Sequence, residues 1–422
     1  MLKNFLLGLA WIFIFSGFVI VVCFLIIAHN DGYVLGFSQL DYNFTPKFFT
    51  MIGSVIGPLI SASGFFFLYL NFREQQNSRH IDKLESKFYQ MVKFHRDNVS
   101  EMTFSYFEKK KNTPDQTATE MVTAEKRKVF KSIYSQFETL YHEVEFLFKD
   151  KNEVEIYGDG YIEKLRQNNT IIERNIDLKN YAKLDILYLI IFFGVGKDGI
   201  NTIKQITKEK YQIDLVDQIL EYAAFKPTRE GGYWVDWVSN FRDTQSLEKE
   251  SKLRIILDGR QSFAATGERP ESNKAEYQKA LIYAPHSFDK YYGGHQFRLG
   301  HYFRNLFQAV MCIHTDKILT YDEKKEYTKV LKAQLSTFEL IIFFISSVSQ
   351  LGRSWELERK GNPEKAVDFN YQLITIYNFI RNLPNRELID GITYSSFYPL
   401  VSYETYNDND AREKRKLFRD RL

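Results

Sequence analysis

Apolar positions follow two regimes along this chain. Near the N-terminus they form unbroken runs, Phe5 to Ala28 and Phe48 to Phe72, with no charged side chain in either. As a helix rising 1.5 Å per residue, the first run is roughly 36 Å long, enough to cross a hydrocarbon core of about 30 Å with some tilt. It exceeds the apolar stretch of about 7–15 residues in a cleaved signal peptide, and no A-x-A-like site follows it. Two transmembrane helices, 5–28 and 48–72, are therefore expected. The external loop between them, 29–47, is too short for a folded sensor. Lys3 precedes the first span, and Arg73, Arg79, Lys83 and Lys87 follow the second. By the positive-inside bias both termini belong on the cytoplasmic side. Gly53, Gly57 and Ser61 form a ridge of small residues suited to close helix packing. Packing between the two spans of one chain is the expected use, and self-association the alternative.

Beyond Arg73 the spacing becomes helical. Ile81, Leu84, Phe88, Met91 and His95 recur every three or four residues, and Val99 and Met102 continue the face. His95 on that stripe reads as a core histidine rather than a ligand. A polar segment from Lys109 to Thr119, with Pro114, breaks the pattern, which resumes from Val129 to Phe148. Ile186 to Val195 is apolar on all sides but too short to span, so a buried core helix is expected. Residues 207–291 hold Gly231, Gly232, Gly259, Gly267, Pro270 and Pro285, and read as an irregular insertion of loops and short helices. Two helices follow, His295 to His314 and Tyr321 to Val348, the latter opened by a capping box of Thr320 and Glu323. A last helix, Glu364 to Leu383, stops at Pro384, and the charged tail Ala411 to Leu422 reads as a solvated or frayed end. The expected fold is mostly α: a membrane anchor (1–72), then a large α-helical cytoplasmic domain. That domain comprises a first helical part (73–206), the insertion (207–291) and a second helical part (292–422).

Composition narrows the chemistry. The 422 residues carry 56 basic and 53 acidic side chains, a net charge of +3, which argues against a purely electrostatic nucleic-acid binder. Two cysteines, Cys23 and Cys312, make neither a disulfide framework nor a cysteine zinc site. No P-loop, dinucleotide fingerprint, H-E-x-x-H or nucleophile elbow is present, and no cofactor, resident metal or clear nucleic-acid-binding motif is predicted. The one polar constellation is His295, Arg298, His301, Arg304 and Asn305. Histidine can move protons near neutral pH and arginine can grip a phosphate at two points. A metal-independent RNase centre or a ligand-sensing site is one use of such a set. The competing use is structural, with Glu339 or Glu356 as a buried partner of Arg298 or Arg304. Steps of three residues rotate backwards round a helix, so His295 and Arg304 point to opposite sides. The residues alone do not assign a reaction, nor say whether the protein is an enzyme.

Three stretches carry a family likeness: Phe88 to Val99 with His95 and Arg96, Gly294 to Phe307, and Tyr327 to Leu340 with Gln334, Ser336 and Glu339. Together with the two apolar runs ahead of them, the chain resembles the phage abortive infection family of the AbiC type. The resemblance implies a protein of the bacterial inner membrane that limits phage multiplication at the expense of the infected cell. It implies no settled catalytic residues. A cytosolic sensing or effector domain is one expectation, with the lipid bilayer, a second copy, a phage component or RNA as partners. A non-catalytic effector that perturbs the membrane, or a membrane scaffold for host proteins, is the alternative.

Overall fold

Long apolar runs without charge fold as helices because only a helix satisfies every backbone group within its own segment. In the computed structural model the described residues are 2–31, 44–109, 119–167, 171, 173–229, 233–242, 245–266, 288–357, 360–361, 368–369, 372–384 and 386–404. The chain divides into two units, Met1–Phe88 and Tyr89–Leu422.

The first unit holds α1 (Leu2–Asn30), α2 (Phe44–Met51), a π-helical turn (Ile52–Ile56) and the start of α3 (Gly57–Ser100). Pro58 accounts for the turn. It lacks an N–H, and its ring crowds the carbonyl four residues back, at Ser54, so the chain widens there. Contacts along α1 run antiparallel to those along α3. Lys3 pairs with Glu74, Phe13 stacks on Phe66 at 6.0 Å, and the Ser63 hydroxyl donates to the Ala10 carbonyl at 3.0 Å. The buried seam is Ile56, Ser63 and Leu70, at heptad spacing, a different face from the ridge of small residues. Gly53 and Ser61 are exposed, and a Cβ added at Gly53 would meet nothing within 4 Å. Phe5, Trp11, Phe15 and Phe18 on α1, and Ile60, Phe65 and Leu68 on α3, point outward. An apolar exterior is the reverse of a water-facing helix. Both helices are long and apolar enough to cross a membrane.

The second unit begins with a β-hairpin, β1 (Thr103–Lys109) antiparallel to β2 (Thr119–Glu125). Its main helices are α4 (Lys128–Glu143), α5 (Leu178–Phe193), α6 (Lys197–Thr207), α7 (Ile213–Phe225), α8 (Ser246–Thr266), α9 (Gln296–His314), α10 (Tyr321–Lys332) and α11 (Thr337–Val348). Helices α4, α5 and α11 pack on one another and form the centre of the core. Every residue from Tyr181 to Ile191 is buried, so the apolar run read as a core helix is one. Each Leu or Ile fully buried there contributes about 1.5–3 kcal/mol.

The structure departs from the sequence reading in four places. The helical face continued to Met102 stops at Ser100, and the hairpin follows; Phe104 and Tyr106 alternate with Ser105 at strand period. The expected helix Tyr321 to Val348 is two helices, α10 and α11, bent by 116°. Ser336 caps the second, its hydroxyl accepting from the Glu339 N–H while Glu339 takes the Ser336 N–H at 2.7 Å. The stretch read as irregular contains α7, of 13 residues, and α8, of 21; Gly231, Gly232, Gly267, Pro270 and Pro285 lie outside the described residues. Of the helix expected from Glu364 to Leu383, the described residues are α-helical only at Leu373–Tyr377, flanked by left-handed residues at Gln372 and Asn378. Most of the loop 29–47, the centre of the polar segment around Pro114 and the tail from Ala411 also lie outside the described residues.

Candidate functional site

Helix α9 carries the polar constellation, and its local sequence fixes two faces. Leu299, Tyr302, Leu306, Val310 and Ile313 are its buried stripe. Tyr302 is the hub. Its hydroxyl donates to Glu339 Oε1 at 3.0 Å, and its ring lies 4.6 Å from that of His95. Glu339, fully buried at the head of α11, also lies 3.7 Å from Arg127 Nε, while Arg127 donates to the Gln334 carbonyl at 2.7 Å. Asn305 donates to the Met91 carbonyl at 3.0 Å. The three motif stretches thus converge on one buried polar network.

His95 is 1% exposed, and neither ring nitrogen has a hydrogen-bond partner among the described residues. Burial, with the Arg127 charge second, pushes its pKa down to about 4. His295, just ahead of α9, is equally buried, and its Nε2 lies 2.7 Å from Gln136 Oε1. Burial first, then the neighbouring Arg298, pushes its pKa down to about 3. Arg298 Nε donates to the Thr103 carbonyl at 2.8 Å, and its Nη1 lies 3.3 Å from His295 Nδ1. An acceptor at Nδ1 and a donor at Nε2 is the neutral imidazole. Arg298 therefore ties the helix to the hairpin, and His295 is held unprotonated.

His301 and Arg304 are placed differently. Both are exposed, and neither makes a hydrogen bond or ion pair among the described residues. They line a cleft of about 710 Å³ between α9, the end of α5 and the turn Leu351–Trp355. Phe192, Phe193, Phe303 and Phe307 line it as half-buried rings. Its upper edge is set by a backbone crossing. A Cβ on Gly194 would come within 2.6 Å of Gly293 backbone, and one on Gly294 within 2.7 Å of Phe193 backbone. Both glycines also have positive φ, +76° and +87°, so no side chain is accommodated there.

The constellation is therefore divided. His295, Arg298 and Asn305 belong to the interior network, while His301 and Arg304 face the cleft. Glu339 and Glu356, the expected partners for Arg298 or Arg304, are taken by others. Glu356 binds Arg174 and Thr375, the Thr375 N–H at 2.7 Å. Arg96 is exposed on α3. Among the described residues no group of three or more His, Cys, Asp or Glu is arranged to hold a metal.

Sequence reasoning missed a second buried cluster. Asp185, fully buried on α5, accepts from Arg353 Nη2 at 2.7 Å, the Tyr211 hydroxyl at 2.6 Å and the Gln350 N–H at 2.7 Å. Lys183 and Asp185 opening an otherwise apolar run were the legible signal, because a charge is buried only when paired.

Residues 294–359 match the family model described as "Putative phage abortive infection protein". No curated protein and no solved structure matches the chain. The matched segment comprises α9, α10, α11 and the turn after them. It supplies Arg353 and Glu356, one side each of two buried charge pairs with Asp185 and Arg174, and the buried Glu339, whose cation Arg127 is exposed; all three partners come from outside the segment. It also supplies His301 and Arg304.

Proposed function

We propose that this chain is a membrane-anchored bacterial phage-defence protein. Its first unit sits in the inner membrane with both termini cytoplasmic, and its second unit works in the cytosol through the His301–Arg304 cleft. The apolar exterior of α1 and α3 supports the anchor, and the basic residues at Lys3 and after Phe72 support the orientation. The family segment supports the defence role. The observation that carries the assignment to the cleft is that Arg304 and His301 of that segment have no partner among the described residues, while its His295, Arg298, Asn305 and Glu339 are bonded to other parts of the second unit. Polar side chains left unsatisfied beside a concave surface are those free to meet a ligand.

The test is phage plating on cells with and without the gene, comparing wild type with His301→Ala and Arg304→Ala. Wild type should lower plating efficiency, and either variant should restore it while protein level in the membrane fraction is unchanged. Full protection by the double variant, at normal level, would remove the cleft from the account. Unchanged plating over a broad phage panel with wild type would remove defence itself. One observation favours a second reading, a non-catalytic effector that perturbs the membrane: the Gly53–Ser61 ridge is turned away from the α1 seam. Membrane potential recorded in the same cultures separates the two. Depolarisation that survives Arg304→Ala and disappears with Gly53→Leu supports the second.

A further inference from the structure

The cleft has a chemistry of its own. Its charged lining is Arg304 with the titratable His301 beside it, and no Asp or Glu is among the lining residues. The ligand is therefore anionic at the rim, where both side chains are exposed. Deeper in, aromatic rings replace charge. Phe303 and Phe307 flank Arg304 on α9, and Phe192 closes the opposite wall, 3.7 Å from where a Gly300 side chain would begin. Bare glycine at 300 adds no side chain to the wall facing Phe192. Aromatic rings such as those lining the cleft hold a flat ring by stacking.

The cleft wall also carries hydroxyls. Tyr188 is 1% exposed, and its hydroxyl faces the Ser346 side chain. Ser346 lies in the same wall. The two hydroxyls give this wall polar atoms that the edge of a heteroaromatic ring can meet. At the mouth, the N-terminal end of α9 adds positive potential beside Gln296 and Phe297. The volume, about 710 Å³, lies in the ordinary range for small-ligand sites.

We propose that this cleft binds a nucleoside phosphate, with the phosphate on Arg304 and His301 and the base between Phe192, Phe303 and Phe307, its edge toward Tyr188 and Ser346. The same chemistry is presented by a free nucleotide and by the terminal nucleotide of an RNA strand. The assignment rests on the cleft being the working site of the protein.

Full-length protein in detergent should be titrated with ribonucleoside 5′-monophosphates and triphosphates, and with a short 5′-phosphorylated single-stranded RNA. Inorganic phosphate and pyrophosphate are the controls. At least one nucleoside phosphate or the RNA should bind saturably, about tenfold or more tighter than either control. Arg304→Ala should weaken that binding by about tenfold or more, Arg304→Lys should restore part of it, and Gly300→Leu should block it while leaving Arg304 and His301 in place. Binding of mononucleotides alone identifies a free nucleotide, and binding of the oligonucleotide alone identifies a strand end. Binding no tighter than pyrophosphate, or unaltered by Arg304→Ala, overturns the proposal. Plating tells the two claims apart. If Arg304→Ala loses protection while wild type binds no nucleotide or RNA, the ligand class is wrong and the site stands. If nucleotides bind through Arg304 while that variant protects fully, the ligand stands and the site is not the working one.

Discussion

The two faces of α9 carry similar side chains in opposite states. On the inner face His295, Arg298, Tyr302 and Asn305 each end on a named acceptor or partner, and His295 is held neutral by burial. On the cleft face, one step round the same helix, His301 and Arg304 end on nothing among the described residues. Residue type does not separate the two groups; environment does. Buried polar groups must be satisfied or they cost stability, so a pattern of His, Arg and Glu along a helix arises from packing as readily as from chemistry. The functional subset is the remainder left after the structural bonds have been assigned.

The comparison is broken most forcefully at the buried charges. Removing one partner of a buried pair leaves the other charge unpaired in a medium of low dielectric, at a cost of about 3–5 kcal/mol. Arg353→Ala, which strands the buried Asp185, should lower stability by that order, and Glu339→Ala, which strands the buried Tyr302 hydroxyl, by about 1–3 kcal/mol, both read as a lower thermal midpoint of the detergent-solubilised protein and faster proteolysis of the second unit. Arg304→Ala should shift stability by no more than about 0.5 kcal/mol, the usual range for an exposed side chain. If Arg304→Ala proves as damaging as Arg353→Ala, the two faces are not different in kind.

A smaller effect comes from pH. His95 and His295 have folded-state pKa values of about 4 and about 3, below the ordinary 6.5 of the unfolded chain. Above pH 6.5 neither state binds the proton, and the full stability is present. Below it the unfolded chain takes up protons that the folded state refuses, so stability falls until the folded pKa is reached. Between pH 6.5 and pH 5 each histidine should remove about 2 kcal/mol. His95→Phe keeps an aromatic ring against Tyr302 and removes one of the two titrations, so denaturant unfolding of that variant should show a shallower acid slope than wild type. An identical slope would mean that His95 is accessible to protons in the folded state.

How much of this was legible beforehand depended on whether the signal was local. Thr320 and Glu323 announced a helix start, and the capping box is there, because three-residue spacing is itself the geometry. Ser336 and Glu339 have the same S-x-x-E form ahead of an apolar run. The helical stripe runs on through them and masks that break. The core helix α5 could be read from apolar residues on every side. The hairpin was masked by the helical pattern before it, though its alternation was present. What no local pattern carries is long-range pairing. Arg127 lies 212 positions from Glu339 and Asp185 lies 168 from Arg353, and spacing in the chain says nothing about either. Hence Glu339 and Glu356 could be recognised as needing cations, while the cations themselves could not be chosen.

The finest test of the two faces uses two glycines six positions apart. Gly300 lies within α9 at the cleft, where an added Cβ would stand 3.7 Å from Phe192 Cζ, an ordinary contact. Alanine there removes backbone freedom from the unfolded chain without a clash, and should stabilise the protein by about 0.5–1 kcal/mol. Gly294 has φ +87° and would bring its Cβ to 2.7 Å from the Phe193 backbone, so alanine there must displace the crossing of α5 and α9 and should destabilise. Chemical denaturation of Gly300→Ala and Gly294→Ala should therefore shift midpoints in opposite directions. A loss of stability in Gly300→Ala would mean that α9 closes on Phe192 in solution. The space beside that wall would then be packing, and Arg304 would have no cleft to serve.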